Sequence, residues 1–76
     1  MNRLRDLRED KDLLQKDVAK MLNIKQQQYS RYECCKNDVP VSILIELSEF
    51  YRVNIDYLLG LTDVDKFLPR RKNDKK

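Results

Sequence analysis

Two short apolar stripes of helical period, separated by a three-residue break, constrain this chain more than any other feature. In QKDVAKMLNIKQQQYSRYE, Gln15 to Glu33, the residues Val18, Ala19 and Leu22 mark the first stripe, and Tyr29 and Tyr32, three apart, mark the second. Asn23, Ile24 and Lys25 interrupt the period. Each stripe predicts a helix of about two turns with one buried face, and so short a break predicts a sharp turn between them. Ala19 is the smallest member of its stripe, which lets the second helix cross closely.

The rest of the chain reads as helix too. Asn2 is the expected N-cap of a first helix carrying Leu4 and Leu7. Pro40 suits the first turn of a fourth helix, whose core members are Ile43, Leu44, Leu47, Phe50 and Tyr51. Asn54 is placed to cap a short fifth helix with Ile55, Tyr57, Leu58 and Leu59, which Gly60 ends in the left-handed C′ position. Five helices and no strand give an all-α fold. With 76 residues, 41% of them hydrophobic, the chain has material for one modest core. Residues 1–61 are expected to form the domain. Residues 62–76 lose periodicity, contain Pro69 and end in five basic side chains, so a flexible basic tail is expected there.

Charge and cysteine usage exclude several classes. The net charge of +3 is mild, but it is unevenly placed: residues 1–33 and 60–76 are net basic, and residues 34–59 are net acidic. Cys34 and Cys35 are adjacent, and neighbouring residues close only a strained ring, so no stabilising disulfide is expected and the pair reads as two small residues ending a helix. A metal site needs about four soft or imidazole ligands, and the sequence offers no histidine and no further cysteine, so no metal or other cofactor is expected. With no histidine, no glycine-rich phosphate loop and no recognisable carboxylate pair, catalysis is not expected either. No run of about 18 apolar residues and no apolar leader stretch is present, so no membrane role is expected and the location is expected to be cytoplasmic.

The layout of helix, tight turn and helix is that of a helix-turn-helix, which makes double-stranded DNA the first partner to consider. Gln26, Gln27, Gln28, Ser30 and Arg31 project from the polar faces of the second helix of this pair. A glutamine amide carries both donor and acceptor, so Gln26 and Gln27 suit adenine N6/N7, while Gln28 either shares that work or faces solvent. Arg31 lies four residues after Gln27 on the same face, and its guanidinium fork suits guanine O6/N7. A glutamine run on an exposed helix is otherwise plain solvated surface.

Gln15-x-x-Val18-Ala19-x-x-Leu22-Asn23-Ile24-x-Gln26, followed by Tyr29-Ser30-x-Tyr32-Glu33, resembles the phage repressor and Cro family of helix-turn-helix regulators, the XRE type. Pro40 through Gly60, with Leu47-Ser48, Tyr51, Val53 and Asp56-Tyr57-Leu58-Leu59, is similar to the fourth and fifth helices of bacterial members, so the resemblance covers residues 3–60. It implies a five-helix, lambda-repressor-like domain in which the third helix enters the major groove and the second meets a phosphate through its first amides and Gln15. It also implies a partly buried ion pair between Arg8 and Glu33, and phosphate contacts in the loop holding Lys36 and Asn37. The chain departs from the family pattern at several places. Leu14 and Lys25 stand where Ser, Thr or Asn caps are common, Asn23 replaces the glycine of the turn, and Cys34-Cys35-Lys36-Asn37 replaces a glycine-bearing loop. Lys25 is a further phosphate candidate, though an exposed turn lysine is often only solvated.

One such domain makes few base contacts, so a homodimer reading half-sites about 34 Å apart is expected. Leu61, Val64, Phe67 and Leu68, with Tyr57, are the candidate interface, Phe67 its anchor; alternatively these side chains fold back onto their own core. Arg70, Arg71, Lys72, Lys75 and Lys76 add either phosphate attraction or solubility. The function expected is a sequence-specific transcriptional regulator, a repressor. The alternative is an antitoxin or protein-interaction module working through a protein partner, a toxin or an antirepressor. Mobile-element repressor, antitoxin autoregulator and restriction-system controller are not separable from the residues.

Overall fold

The computed structural model describes residues 2–68, where five helices follow one another: α1 (Leu4–Asp10), α2 (Gln15–Leu22), α3 (Gln26–Glu33), α4 (Val41–Tyr51) and α5 (Ile55–Leu58). No strand occurs among the described residues. The helix order and the all-α architecture match the periodicity of the sequence.

The apolar stripes meet in one core. Val18, Ala19 and Leu22 of α2 and Tyr29 and Tyr32 of α3 are buried, with Leu4 from α1, Ile43, Leu47 and Tyr51 from α4, Val53, and Leu58 from α5. The helices α2 and α3 pack on each other, α3 on α1, and α4 on α5. Phe50 departs from expectation: it is 38% exposed, while Ser48 is buried. The Ser48 hydroxyl donates to the Val53 carbonyl, which satisfies it away from water, and Phe50 instead sets its ring edge-on to Tyr51 with centroids 4.9 Å apart.

Helix starts follow side-chain chemistry with small shifts from the sequence expectation. Asn2 Oδ1 accepts from the Leu4 amide at 3.1 Å, but the N-cap position itself falls to Arg3. Pro40 is the N-cap of α4 rather than its first helical residue. Asn54 caps α5, its Oδ1 accepting from the Tyr57 amide at 2.7 Å. Leu14 at the N-cap of α2 has no side chain to offer, but Asp17, three residues on, accepts from the Leu14 amide at 2.9 Å, half of a capping box.

All five helices end in the same way. A residue in the left-handed region follows each: Asp12, Asn23, Cys35, Arg52 and Gly60, with φ between 57 and 77°. The next amide then bonds the carbonyl five residues back, Leu13 to Arg8, Ile24 to Ala19, Lys36 to Arg31, Val53 to Ser48 and Leu61 to Asp56, the long bond of the Schellman motif. Val53 is buried at this position and Leu13 and Ile24 pack against the core, the apolar contact that accompanies the motif. Asn23 does what glycine would do in the tight turn, with φ 60° and ψ 43°.

Residues 61–68 carry no regular element, yet polar side chains hold several of them down. Arg3 Nη2 donates to the Thr62 carbonyl at 3.1 Å and pairs with Asp63 at 2.7 Å. Asn54 Nδ2 donates to the carbonyls of Val64 and Lys66 at 2.8 and 2.9 Å. The Arg52 guanidinium lies 4.6 Å from the Phe67 ring centroid. The stretch 62–68, expected to be the start of a flexible tail, is therefore strapped to α5 and to the residue before α1. The basic residues Arg70, Arg71, Lys72, Lys75 and Lys76 lie outside the described residues.

Candidate nucleic-acid interface

The exposed face of α3 gathers part of the expected site. Gln26, Gln27, Gln28 and Arg31 are exposed and Ser30 is half-buried. The helical period sends Tyr29 and Tyr32 inward, so the glutamines and Arg31 are left facing solvent. Lys25, Gln27, Gln28, Arg31 and Asn37 line one open concavity of about 430 Å³. It brings three residues chosen for base edges together with two chosen for phosphate. Gln26, Ser30 and Lys36 stand outside it, with Lys36 exposed in the loop after α3.

Two of the glutamines are already engaged within the chain. Gln28 Nε2 donates to the Tyr32 hydroxyl at 2.9 Å, one turn along the same helix, leaving its carbonyl and a second N–H free. Gln15 Nε2 donates to Glu33 Oε1 at 3.0 Å. Its spare N–H and the first amides of α2 are the groups a phosphate would use, and Asp17 sits in that same first turn.

Behind this face lies a buried polar cluster. Arg8 Nε is 2.7 Å from Glu33 Oε2 and its Nη2 donates to Oε1 at 3.2 Å, a fork-on-fork pairing. Arg8 Nη1 also donates to the Leu13 carbonyl at 2.8 Å. Arg8 is only 9% exposed. Burial alone would raise the Glu33 pKa, but the hydrogen bond from Arg8, the approach of Tyr29 and the bond from Gln15 outweigh it and hold the carboxyl below its ordinary value. The Tyr29 and Tyr51 hydroxyls are buried with no hydrogen-bond partner among the described residues. Burial first, and then the Glu33 charge, push both phenols up, Tyr51 to about 12 and Tyr29 further.

The candidate interface residues divide. Leu61, Val64 and Leu68 are 73%, 63% and 64% exposed. Tyr57 and Phe67 are half-buried, each under a guanidinium of its own chain, Arg3 at 4.3 Å from the Tyr57 ring centroid and Arg52 over Phe67.

Beyond the two glutamine bonds, three further contacts of consequence were not expected from the residues: Asp17 on the Leu14 amide, Arg3 on Thr62 and Asp63, and the second half of the Asn54 side chain. The first was legible, since a carboxylate three residues after an N-cap is the capping-box spacing. The other two join distant segments and leave no periodic trace. Among the described residues no helix is long and apolar enough to cross a membrane, and no group of three or more Cys, His, Asp or Glu side chains is arranged to hold a metal ion.

A helix-turn-helix family model matches residues 4–58. Two curated proteins of Bacillus subtilis (strain 168) are similar to the chain. The uncharacterized HTH-type transcriptional regulator YobD is 37% identical over 73 residues, which cover 96% of this chain and 65% of that protein. The HTH-type transcriptional regulator ImmR is 39% identical over 64 residues, covering 84% of this chain and 50% of that protein. The chain thus spans between half and two thirds of the length of these curated relatives. No solved structure gives a significant match. The matched span begins at the first residue of α1 and ends at the last of α5, so the whole helical body described above, with its tight α2–α3 turn, belongs to the XRE-type helix-turn-helix family of transcriptional regulators.

Proposed function

We propose that the chain is a sequence-specific double-stranded DNA-binding repressor that lays α3 in the major groove and works in the cytoplasm as a homodimer on half-sites about 34 Å apart. One observation carries this reading: Gln27, Gln28 and Arg31 of α3 share an open concavity with Lys25 before the helix and Asn37 after it, so base-reading and phosphate-holding chemistry stand side by side around one exposed helix. Gln26 and Ser30 extend the base-reading set, and Gln15 and Lys36 the phosphate set. Leu61 and Leu68 supply the exposed apolar area for the second copy, and the half-buried Tyr57 and Phe67 complete the candidate set. That exposed area also favours a second reading, in which the surface receives a protein such as a toxin or an antirepressor and DNA binding is secondary.

Selection of sites from a random duplex pool at physiological salt, with wild type beside Arg31→Ala, tests the first reading. A palindrome enriched by wild type and relaxed at one position by the variant, with about 1–3 kcal/mol of discrimination lost there, supports it. A folded protein that enriches nothing rejects it in favour of the protein partner. Light scattering of Phe67→Asp tests the dimer: a wild-type dimer that stays dimeric after the change removes this surface from the interface.

A further inference from the structure

Cys34 and Cys35 are the only cysteines in the sequence, and both thiols are free and exposed. Cys34 closes α3, and Cys35 takes the left-handed conformation that ends it. Cys35 Sγ accepts from Asn2 Nδ2 at 3.6 Å. The same residue lines a cavity of about 210 Å³, whose apolar wall is Val39 and Leu59 and whose polar wall includes Asn2, Asn37 and Asp38. The two thiols stand on neighbouring residues, and a small half-apolar recess lies beside Cys35.

Three ligand classes compete for such a pair. A direct disulfide fits poorly, because a trans peptide holds neighbouring Cα atoms about 3.8 Å apart, short of the roughly 4.4–6.8 Å that unstrained disulfides span. Zinc and related ions ask for about four protein ligands, and no suitable cluster of three or more Cys, His, Asp or Glu exists among the described residues. A monosubstituted trivalent arsenical asks for two sulfurs only. Its third bond is to its own carbon substituent, and the arsenic atom bridges a wider gap than a sulfur–sulfur bond does.

We propose that Cys34 and Cys35 together chelate monosubstituted trivalent arsenicals, R–As(OH)₂, with the organic group resting in the recess against Val39 and Leu59. Each thiol exchanges its S–H bond for an S–As bond, and each As–OH leaves as water with the thiol proton. Two waters are released, arsenic remains trivalent, the As–C bond persists, and no oxidant or reductant is required. The site stands apart from DNA binding in its chemistry, but it lies at the end of the helix that carries Arg31.

The full chain treated with phenylarsine oxide, which hydrates to the dihydroxide, tests this by intact mass. The expected result is one phenylarsenic group per chain and loss of both thiols to iodoacetamide. The adduct should persist in excess glutathione and come off with dimercaptopropanol. Cys34→Ser and Cys35→Ser should each lose the adduct in glutathione. A wild-type adduct lost to glutathione as readily as from the single variants overturns the chelate, and so do thiols that stay alkylatable. The recess is tested by comparing phenyl and methyl arsenicals: slower release of phenyl from the folded chain, equalised in urea, supports it, and equal release from the folded chain removes Val39 and Leu59 from the site.

Discussion

Gln15, the first residue of α2, donates its side-chain amide to Glu33, the last residue of α3, at 3.0 Å. The same carboxylate takes the guanidinium of Arg8 from α1, so one anion joins three helices. Glu33→Ala leaves Arg8 buried without its counter-charge and is expected to destabilise the domain by about 3–5 kcal/mol, read from urea unfolding at pH 7. An unchanged midpoint would show that water reaches Arg8 and that the joint contributes little.

The same pairing predicts acid sensitivity. The folded Glu33 pKa lies below the ordinary value of 4.5, so its contribution is present above that pH and is lost as pH falls through the folded value. Stability of wild type is expected to drop below about pH 4.5 more steeply than that of Glu33→Gln, which starts lower but lacks this titration. Parallel curves for the two proteins would assign the acid transition to other carboxylates.

At the alkaline end the sign reverses. Burial holds the Tyr51 phenol neutral up to about 12, against 10.0 when exposed, so stability is full below pH 10 and is lost as pH rises toward 12. Tyr29 shifts the same way. Tyr51→Phe is expected to flatten the alkaline loss. At pH 7 it should change stability by less than about 1 kcal/mol, because the deleted hydroxyl has no partner among the described residues. Circular dichroism melts across the two ranges measure both.

Left-handed Cys35 and Asn23 are expected to respond differently to glycine. An ordinary side chain in that region costs about 1–2 kcal/mol, and glycine's added unfolded-state freedom returns about 0.5–1 of it. Cys35→Gly should therefore gain about 0.5–1 kcal/mol in urea unfolding. Asn23→Gly should gain less, since asparagine tolerates the region. Equal gains would mean that contacts of the Cys35 side chain, such as that with Asn2, offset its backbone strain.

Asn54 performs two tasks that two substitutions separate. Asn54→Asp keeps the oxygen that receives the Tyr57 amide but loses the donors to Val64 and Lys66; Asn54→Ala loses both. Faster tryptic cleavage at Lys66 is expected in both variants, and a further stability loss of about 1 kcal/mol in the alanine variant alone. Cleavage as slow as in wild type would leave Arg3 and Arg52 as the real anchors of the strap.

The contrast between α2 and the strap explains what was legible in the sequence. Val18, Ala19 and Leu22 announce a buried face because helical geometry repeats, and the match of residues 15–33 to a known pattern drew α3 and its polar face from the same periodicity. The strap has no such signature. It is held by Arg3, Asn54 and Arg52 acting on backbone carbonyls, the Asp63 carboxylate or a single ring, and Arg3 reaches Thr62 from 59 positions away. Phe50 departs from its expected burial for a related reason: hydropathy ranks it inside, and does not register that the Val53 carbonyl gives the buried Ser48 hydroxyl a partner. At the candidate interface, residue chemistry nominates side chains suited to a base edge, and could not foresee that Gln28 is tied to Tyr32 or Gln15 to Glu33.

A buried charge at the last residue of α3 also bears on how such a protein would search DNA. Arg31 stands two residues before Glu33, so the helix cannot swing on its support without separating ions that the fold largely shields from water. On the DNA-binding proposal, the angle at which α3 is offered is therefore fixed before any duplex arrives, and the adjustment falls to the nucleic acid. Sites rich in easily kinked pyrimidine–purine steps would then be favoured even at positions that no side chain touches.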